Sequence, residues 1–445
     1  MDYVDRLENV TVLGAGGKMG SGILLLTAME MANLSLMPEN KHRKFVLNAI
    51  DVSDSALLSL MDFLQAQVVK AAEKKTVQLR QMYKDRKDLI ENGDIIKQYV
   101  FDVIKLVRCS TRLEQSYDSS LIFEAILENP DLKVKILSQI KEKSSKTPWF
   151  FTNTSSIPIH ELDENVKLDG RIVGFHFYNP PAVQKLVELI SGSNTQEDLV
   201  QFALQYAKNL RKIIVHSNDV AGFIGNGHFM RDGLYGISEV ERLSEQVGFA
   251  EAVYMINKVS QDYLIRPMGI FQLIDYVGID VCQFIMSVMN SRLQSENIHS
   301  PLLDKLNEKD VKGGQFGDGS QKDGILKYEK GKPVGVYSVD KGEYIPISEF
   351  QEKCDAKLGA LPKAALPWKA VIGNPDKKTI LENHFAELNE MDNLGAKLAV
   401  EYGKRSKEIA LKLVADKVAR TEEDVNTVLL TGFYHAYGPI NEYFI

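Results

Sequence analysis

Asn9-Val-Thr-Val-Leu13, followed at once by Gly14-Ala-Gly-Gly-Lys-Met-Gly20, is the stretch that decides the fold. The first five residues are short and β-rich, and Ser21 to about Ala32 carries an apolar pattern of helical period, so the glycines stand in a turn between strand and helix. Glycine there lets the backbone approach a pyrophosphate at the helix N-terminus, where unpaired N–H groups favour an anion. The spacing is GxGxxxG rather than GxGxxG. Glycine turns are common; the position after an N-terminal strand gives Gly14, Gly16 and Gly20 the dinucleotide reading.

A second strand, Lys44 to Ile50, ends in Asp51, an acidic group placed to accept hydrogen bonds from adenosine ribose hydroxyls. The plainer role is a helix cap by Asp51 or Ser53. No Arg or Lys occurs from Val52 to Leu60 to hold a 2′-phosphate, so NAD is expected over NADP. Asp51 lies further from the glycines than usual, an excess assigned to Leu34 to His42.

Strand patterns recur at Leu121 to Ala125, Trp149 to Thr152, Arg171 to Phe177 and Lys212 to Val215, alternating with helical ones. This predicts an α/β fold with a parallel, doubly wound sheet. Ser53 to about Gln98 is helical, charged and too long for an ordinary crossover, so it reads as a helical hairpin projecting from the sheet. After Asn218-Asp-Val-Ala-Gly222 the strand patterns stop. The expected organisation is a Rossmann-like NAD-binding domain over 1–217, an all-α domain of substrate or dimerisation type over 218–340, and a mainly helical extension over 341–445. Lys312 to Pro346, rich in Gly, Lys and Asp, reads as loop.

The chain of 445 residues exceeds the size of one compact core, and its 44% hydrophobic and 25% charged residues suit a folded, soluble chain. A net charge of -7 speaks against a nucleic-acid surface, which needs basic stripes. Cys109, Cys282 and Cys354 are widely separated and form no CxxC, so neither a disulfide framework nor a metal site is expected. The acidic first residues do not read as a signal peptide, and no apolar run reaches membrane-spanning length. The expectation is a cytoplasmic protein with a small-molecule substrate and with neither nucleic acid nor membrane as partner.

Several ordered stretches resemble L-3-hydroxyacyl-CoA dehydrogenases: Gly17-Lys-Met-Gly-Ser-Gly-Ile23, Phe123-Glu-Ala-Ile-Leu-Glu-Asn129, Asn153-Thr-Ser-Ser156, Gly174-Phe-His-Phe-Tyr-Asn-Pro180 with Leu186-Val-Glu188, Ala221-Gly-Phe-Ile-Gly-Asn226, and Pro267-Met-Gly-Ile-Phe-Gln-Leu-Ile-Asp-Tyr-Val-Gly278. The resemblance covers roughly Asn9 to Tyr328. It implies a catalytic His176–Glu188 dyad, with Ser155 and Asn226 donating hydrogen bonds to substrate oxygens and Glu128 and Asn153 along the nicotinamide half of the cofactor. It also implies that the hairpin clamps an acyl-CoA, with Lys74 toward the nucleotide phosphates; a family serine is Gln67 here.

The chemistry suits these residues independently. Oxidising an alcohol by hydride transfer needs a base for its proton, and a histidine of near-neutral pKa is the usual one. A carboxylate on the other ring nitrogen fixes the tautomer and stabilises the imidazolium. Singly, each residue has a blander role: a satisfied core histidine, an edge-strand carboxylate, a helix cap, a solvated lysine. The ordered set favours function. A sister dehydrogenase of a free hydroxy acid or sugar acid, and a non-catalytic binding or structural protein on the same scaffold, are the competing readings.

Glu423 to Ile440, with its Tyr437-Gly-Pro439, echoes Glu251 to Phe271 and reads as a degenerate repeat of the second domain. In that case Asp392 to Ile445 packs on the helices between Gly222 and Asn290 in place of a second subunit, giving a monomer or an oligomer built through some other surface; otherwise the extension is an unrelated helical cap, and a homodimer stays open.

Overall fold

Strand β1 (Asn9–Leu13) sits inside an eight-stranded sheet in the computed structural model, which describes residues 3–317 and 319–444. The chain forms two compact units, Met1–Asp219 and Val220–Ile445. In the first, β2 (Val46–Ile50), β3 (Val107–Ser110), β4 (Leu121–Glu124), β5 (Trp149–Thr152), β6 (Ile172–Phe177), β7 (Leu186–Ile190) and β8 (Ile213–Ser217) complete the order β3-β2-β1-β4-β5-β6-β7-β8. The helices are α1 (Tyr3–Arg6), α2 (Lys18–Ser35), α3 (Asp54–Lys74), α4 (Thr76–Met82), α5 (Asn92–Ile104), α6 (Pro130–Lys143), α7 (Ile159–Val166) and α8 (Glu197–Asn209).

The parallel, doubly wound sheet is present with one exception: β6 and β7 pair antiparallel. Only eight residues, Tyr178 to Lys185, join Phe177 to Leu186, too few for the crossover that a parallel return requires. Strands β3 and β7 were not foreseen; β3 is four residues long with its two central residues exposed, and carries little apolar signal. The switch point, where connections leave β1 and β4 in opposite directions, lies at Leu13 and Glu124, paired side by side.

Alternation decides which side chains stay out of the core. Phe123, Phe151, Phe175 and Phe177 form a run of ring contacts with Tyr206 of α8 on one face of the sheet. Each buried phenylalanine is worth on the order of 2 kcal/mol. His176, between Phe175 and Phe177, therefore points to the opposite face. The hairpin α3–α5 is rooted on α2: Leu57, Leu60, Leu64 and Val68 are buried, and Tyr99 Oη donates to Asn33 Oδ1 at 2.9 Å.

The second unit contains α9 (Gly225–Val247), α10 (Phe249–Lys258), α11 (Ile270–Val277), α12 (Ile279–Asn290), α13 (Pro301–Glu308), α14 (Gln351–Leu358), α15 (Trp368–Val371), α16 (Lys377–Glu390), α17 (Leu394–Ala415) and α18 (Glu422–Gly432). Its helical character agrees with expectation, but the reading of Lys312 to Pro346 as loop does not hold. Strands β9 (Leu326–Glu329), β10 (Lys332–Ser338) and β11 (Glu343–Pro346) form an antiparallel meander. Lys330 and Gly331, with φ of 48° and 75°, make the two-residue turn of positive φ that suits a hairpin. The runs are short and lysine-rich, which hid their period of two.

Helices α17 and α18 pack on α9 within this unit. Tyr402 Oη donates to the Asp232 carbonyl at 2.9 Å, Arg266 donates to Asp232 Oδ2 at 2.7 Å and to Ser406 Oγ at 3.2 Å, and Phe229 meets Phe433 at 6.0 Å. Two turns are built alike. Asn257 Oδ1 accepts from the N–H groups of Phe271 and Gln272, Asn426 Oδ1 accepts from Ile440 N, and an added Cβ on Gly269 or Gly438 would collide with the respective asparagine. One shift of 169 positions carries Asn257 to Asn426, Gly269 to Gly438 and the start of α9 to the start of α17.

Candidate active site

The glycine turn is a cradle that side chains would fill. Gly14 has φ of 72°, and a Cβ there would strike the Ala125 carbonyl; one on Gly20 would strike the carbonyl of Gly14. Helix α2 starts after Gly17 without a side-chain cap, and the positive end of its dipole faces the turn, where an anion is favoured. Asp51 reaches back to the turn: Oδ2 accepts from Gly16 N at 2.9 Å and Oδ1 from Ser53 N at 3.2 Å. Ser53, not Asp51, caps α3, its Oγ accepting from Ala56 N at 3.2 Å. Each Asp51 oxygen retains accepting capacity, so the carboxylate stitches the turn to β2 and still suits a ribose hydroxyl. These features fit a dinucleotide.

Beyond β4 lies a buried charge cluster. Lys133 of α6 bonds Glu124 Oε1 at 2.7 Å and Glu128 Oε2 at 3.0 Å, with the Lys133 and Glu124 side chains 1% and 0% exposed. Burial opposes the Lys133 ammonium, but Glu124 and Glu128 outweigh it and hold its pKa above the ordinary value. Glu128 is likewise burdened by burial, yet Lys133 and the Thr154 hydroxyl keep its carboxyl below the usual range. Asn129 caps α6 ahead of Pro130, which sets where Lys133 falls on the helix.

Glu128 organises the loop after β5. Its Oε1 accepts from Thr154 Oγ1 at 2.5 Å, from Ser155 N at 2.9 Å and from Ser156 Oγ at 3.3 Å. Asn153 Oδ1 accepts from Phe177 N at 2.8 Å, tying the same loop to the end of β6. Glu128, Asn153 and Ser155 are thus gathered beside the strand that bears His176.

His176 and Glu188 are direct cross-strand partners on β6 and β7, and His176 Nδ1 lies 2.9 Å from Glu188 Oε2. Their side chains are 11% and 0% exposed. Tyr178 donates its hydroxyl to the same Glu188 oxygen at 3.0 Å. Burial, reinforced by the Glu188 charge, raises the Tyr178 pKa well above its ordinary value.

Lys74 is the exposed last residue of α3, and Asn226 is the second residue of α9, in the other unit. Among the described residues no group of three or more His, Cys, Asp or Glu could hold a metal ion. Sequence reasoning missed Lys133, Thr154 and Tyr178. For Lys133 the signal was weak, one lysine on a helix that carries Lys135, Lys141 and Lys143; Tyr178 stood inside a quoted motif and was not weighed.

Comparison with known proteins gives the family. Residues 9–220 match the family model described as 3-hydroxyacyl-CoA dehydrogenase, NAD binding domain, and residues 239–323 match the C-terminal domain of the same family. A probable 3-hydroxybutyryl-CoA dehydrogenase of Bacillus subtilis is 30% identical over 73% of this chain and 99% of its own length. The chain belongs to the 3-hydroxyacyl-CoA dehydrogenase family. A probable 3-hydroxyacyl-CoA dehydrogenase of Caenorhabditis elegans is 28% identical over 72% of this family member and 94% of its own length. The crystal structure of an Escherichia coli 3-hydroxybutyryl-CoA dehydrogenase covers 98% of this dehydrogenase and 90% of its own chain, with a TM-score of 0.63 and 22% identity, which extends the likeness of fold through the C-terminal extension.

Proposed function

We propose that this NAD-dependent dehydrogenase oxidises the 3-hydroxyl of a 3-hydroxyacyl-CoA to a 3-ketoacyl-CoA, and catalyses the reverse, with His176 and Glu188 as its proton-transfer pair. The carrying observation is the 2.9 Å contact of His176 Nδ1 with Glu188 Oε2. With Nδ1–H donated to the carboxylate, Nε2 of the neutral ring is the basic nitrogen. Nε2 takes the substrate hydroxyl proton as the C–H bond breaks, and Glu188 stabilises the imidazolium. In the reverse direction the imidazolium returns that proton to the ketone oxygen.

Bound NAD supplies the hydride acceptor. Gly14, Gly16 and Gly20 would admit its pyrophosphate, Asp51 its adenosine ribose, and Glu128 and Asn153 its nicotinamide half. Ser155 and Asn226 would hold the substrate oxygens by hydrogen bonds, and Lys74 the phosphates of CoA. Three free cysteines suit a reducing compartment, and we assign the chain to the cytoplasm, with fatty-acid metabolism as its setting and neither nucleic acid nor membrane as partner.

The matched Asn257–Gly269 and Asn426–Gly438 turns support reading the segment after residue 340 as a degenerate copy of the helical domain at 218–340, following the NAD-binding domain at 1–217. An internal copy occupies the surface that a second subunit would use, so we favour a monomer over a homodimer.

Absorbance of the reduced nicotinamide, followed with acetoacetyl-CoA and then with free acetoacetate, tests the function. Turnover with the thioester alone is expected. Equal turnover of the free acid would point to a hydroxy-acid dehydrogenase, and cofactor binding without turnover of either to a non-enzyme.

A further inference from the structure

Tyr178 stands beside the dyad without a part in the proton transfer described above. Its hydroxyl lies 3.0 Å from Glu188 Oε2, the oxygen that also lies 2.9 Å from His176 Nδ1, and the Tyr178 and His176 rings are 4.9 Å apart, tilted by 40°. A carboxylate oxygen accepts two donors, so both hydrogen bonds stand together and draw on one negative charge. Burial and the Glu188 charge keep the phenol protonated, so the tyrosine is a neutral donor throughout the working pH range.

We propose that Tyr178 is a positioning residue for the dyad: by sharing Glu188 Oε2 with His176, its hydroxyl holds the carboxylate in place and moderates its pull on the imidazolium. This rests on the dyad reading. A carboxylate with a single donor stabilises an imidazolium more strongly, and a base is most effective when it titrates near the operating pH. The second donor thereby keeps His176 able both to take a proton from an alcohol and to give one to a ketone.

Other ionisable groups of the first unit are engaged by partners of their own. Glu124, Glu128 and Lys133 satisfy one another, and Asp219 pairs with His160 at the start of α7. Lys212 donates to the carbonyls of Pro181 and Gln184 and lies 5.7 Å from the Phe177 ring, on the other face of β6 from His176. On β8, Val215 is the register partner of Glu188, and alternation turns the neighbouring His216 to the opposite face.

The test is the pH dependence of kcat/KM for the coenzyme A substrate, in both directions, for the wild type and Tyr178→Phe. Loss of the hydroxyl is expected to move the limb set by His176 to higher pH by about half a unit or more, upward for oxidation and reduction alike. A limb that stays in place overturns the proposal, even where the rate falls at every pH, because that is what loss of packing alone does. If Tyr178→Phe does not fold, Tyr178→Leu removes the same hydroxyl and is read in the same way. An active His176→Gln enzyme would instead remove the dyad itself, whereas an inactive one beside an unmoved limb in Tyr178→Phe sinks only the role of Tyr178.

Discussion

Lys133 Nζ lies 2.7 Å from Glu124 Oε1 in a pocket that leaves both side chains without solvent, and the same ammonium reaches Glu128, which holds the Asn153–Ser156 loop. Removing the cation leaves two carboxylates to be desolvated unpaired. Lys133→Met should destabilise the first unit by about 3–5 kcal/mol in denaturant unfolding. The same change should raise KM for NAD. Adding Glu124→Gln to that variant should recover part of the stability; no recovery would mean that the lysine acts through packing.

His176→Gln should lower turnover by about a hundredfold or more, because the proposed base is lost while the dinucleotide cradle is untouched. Affinity for NAD, read by fluorescence titration, should barely change. Glu188→Gln should also lose most of its turnover; a rise in substrate KM alone would make Glu188 a binding residue.

Asp51 holds two backbone amides and is the proposed partner of the adenosine ribose, so Asp51→Ala should weaken NAD by about tenfold or more. Ser53 caps α3 and should be kept. Val52, 97% exposed, is the better place for a guanidinium, and Asp51→Ala with Val52→Arg should shift the ratio of kcat/KM toward NADP. Unchanged NAD affinity in the double variant would reduce Asp51 to a structural stitch.

The second unit should lose stability in mild acid. Burial lowers the pKa of His228, with Asp232 opposing and Arg266 assisting; burial and then Arg266 lower that of His435. Both folded values lie below the ordinary 6.5, so the unfolded chain binds more protons; their contribution is full above 6.5 and is lost as pH falls below it. The lowered pKa of Asp232 acts in the same direction only below its ordinary 3.8. Melting curves in steps from about pH 7.5 to pH 5 should show this decline, and His435→Gln should flatten it. A slope that the substitution leaves unchanged would place the effect elsewhere.

Truncation after Ile347 should uncover Phe229, Tyr235 and Tyr263, which meet Phe433, Tyr402 and Gly395 of the extension. New dimerisation or aggregation in light scattering is expected. A truncated protein that stays monodisperse at the oligomeric state of the full chain would rule out the internal copy.

Asn9 to Gly20 was legible because its signal is local: a β-rich run, glycines and a helix are properties of neighbouring residues, and they determine the nucleotide-binding turn wherever the chain goes next. The same holds for the strands at β1, β2, β4, β5, β6 and β8 and for the order of the family motifs. What no local pattern carries is which distant side chains meet. The antiparallel return of β7 places Glu188 opposite His176, where the sequence offered only a separation of twelve residues. Lys133 became a buried ammonium because two carboxylates, one at the end of β4 and one four residues on, converge on its helix. Tyr178 acquired a partner through the same strand pairing. The meander at β9 to β11 and the seating of α17 on α9 were likewise settled by burial and pairing across long loops, energies that exist only once the segments are brought together.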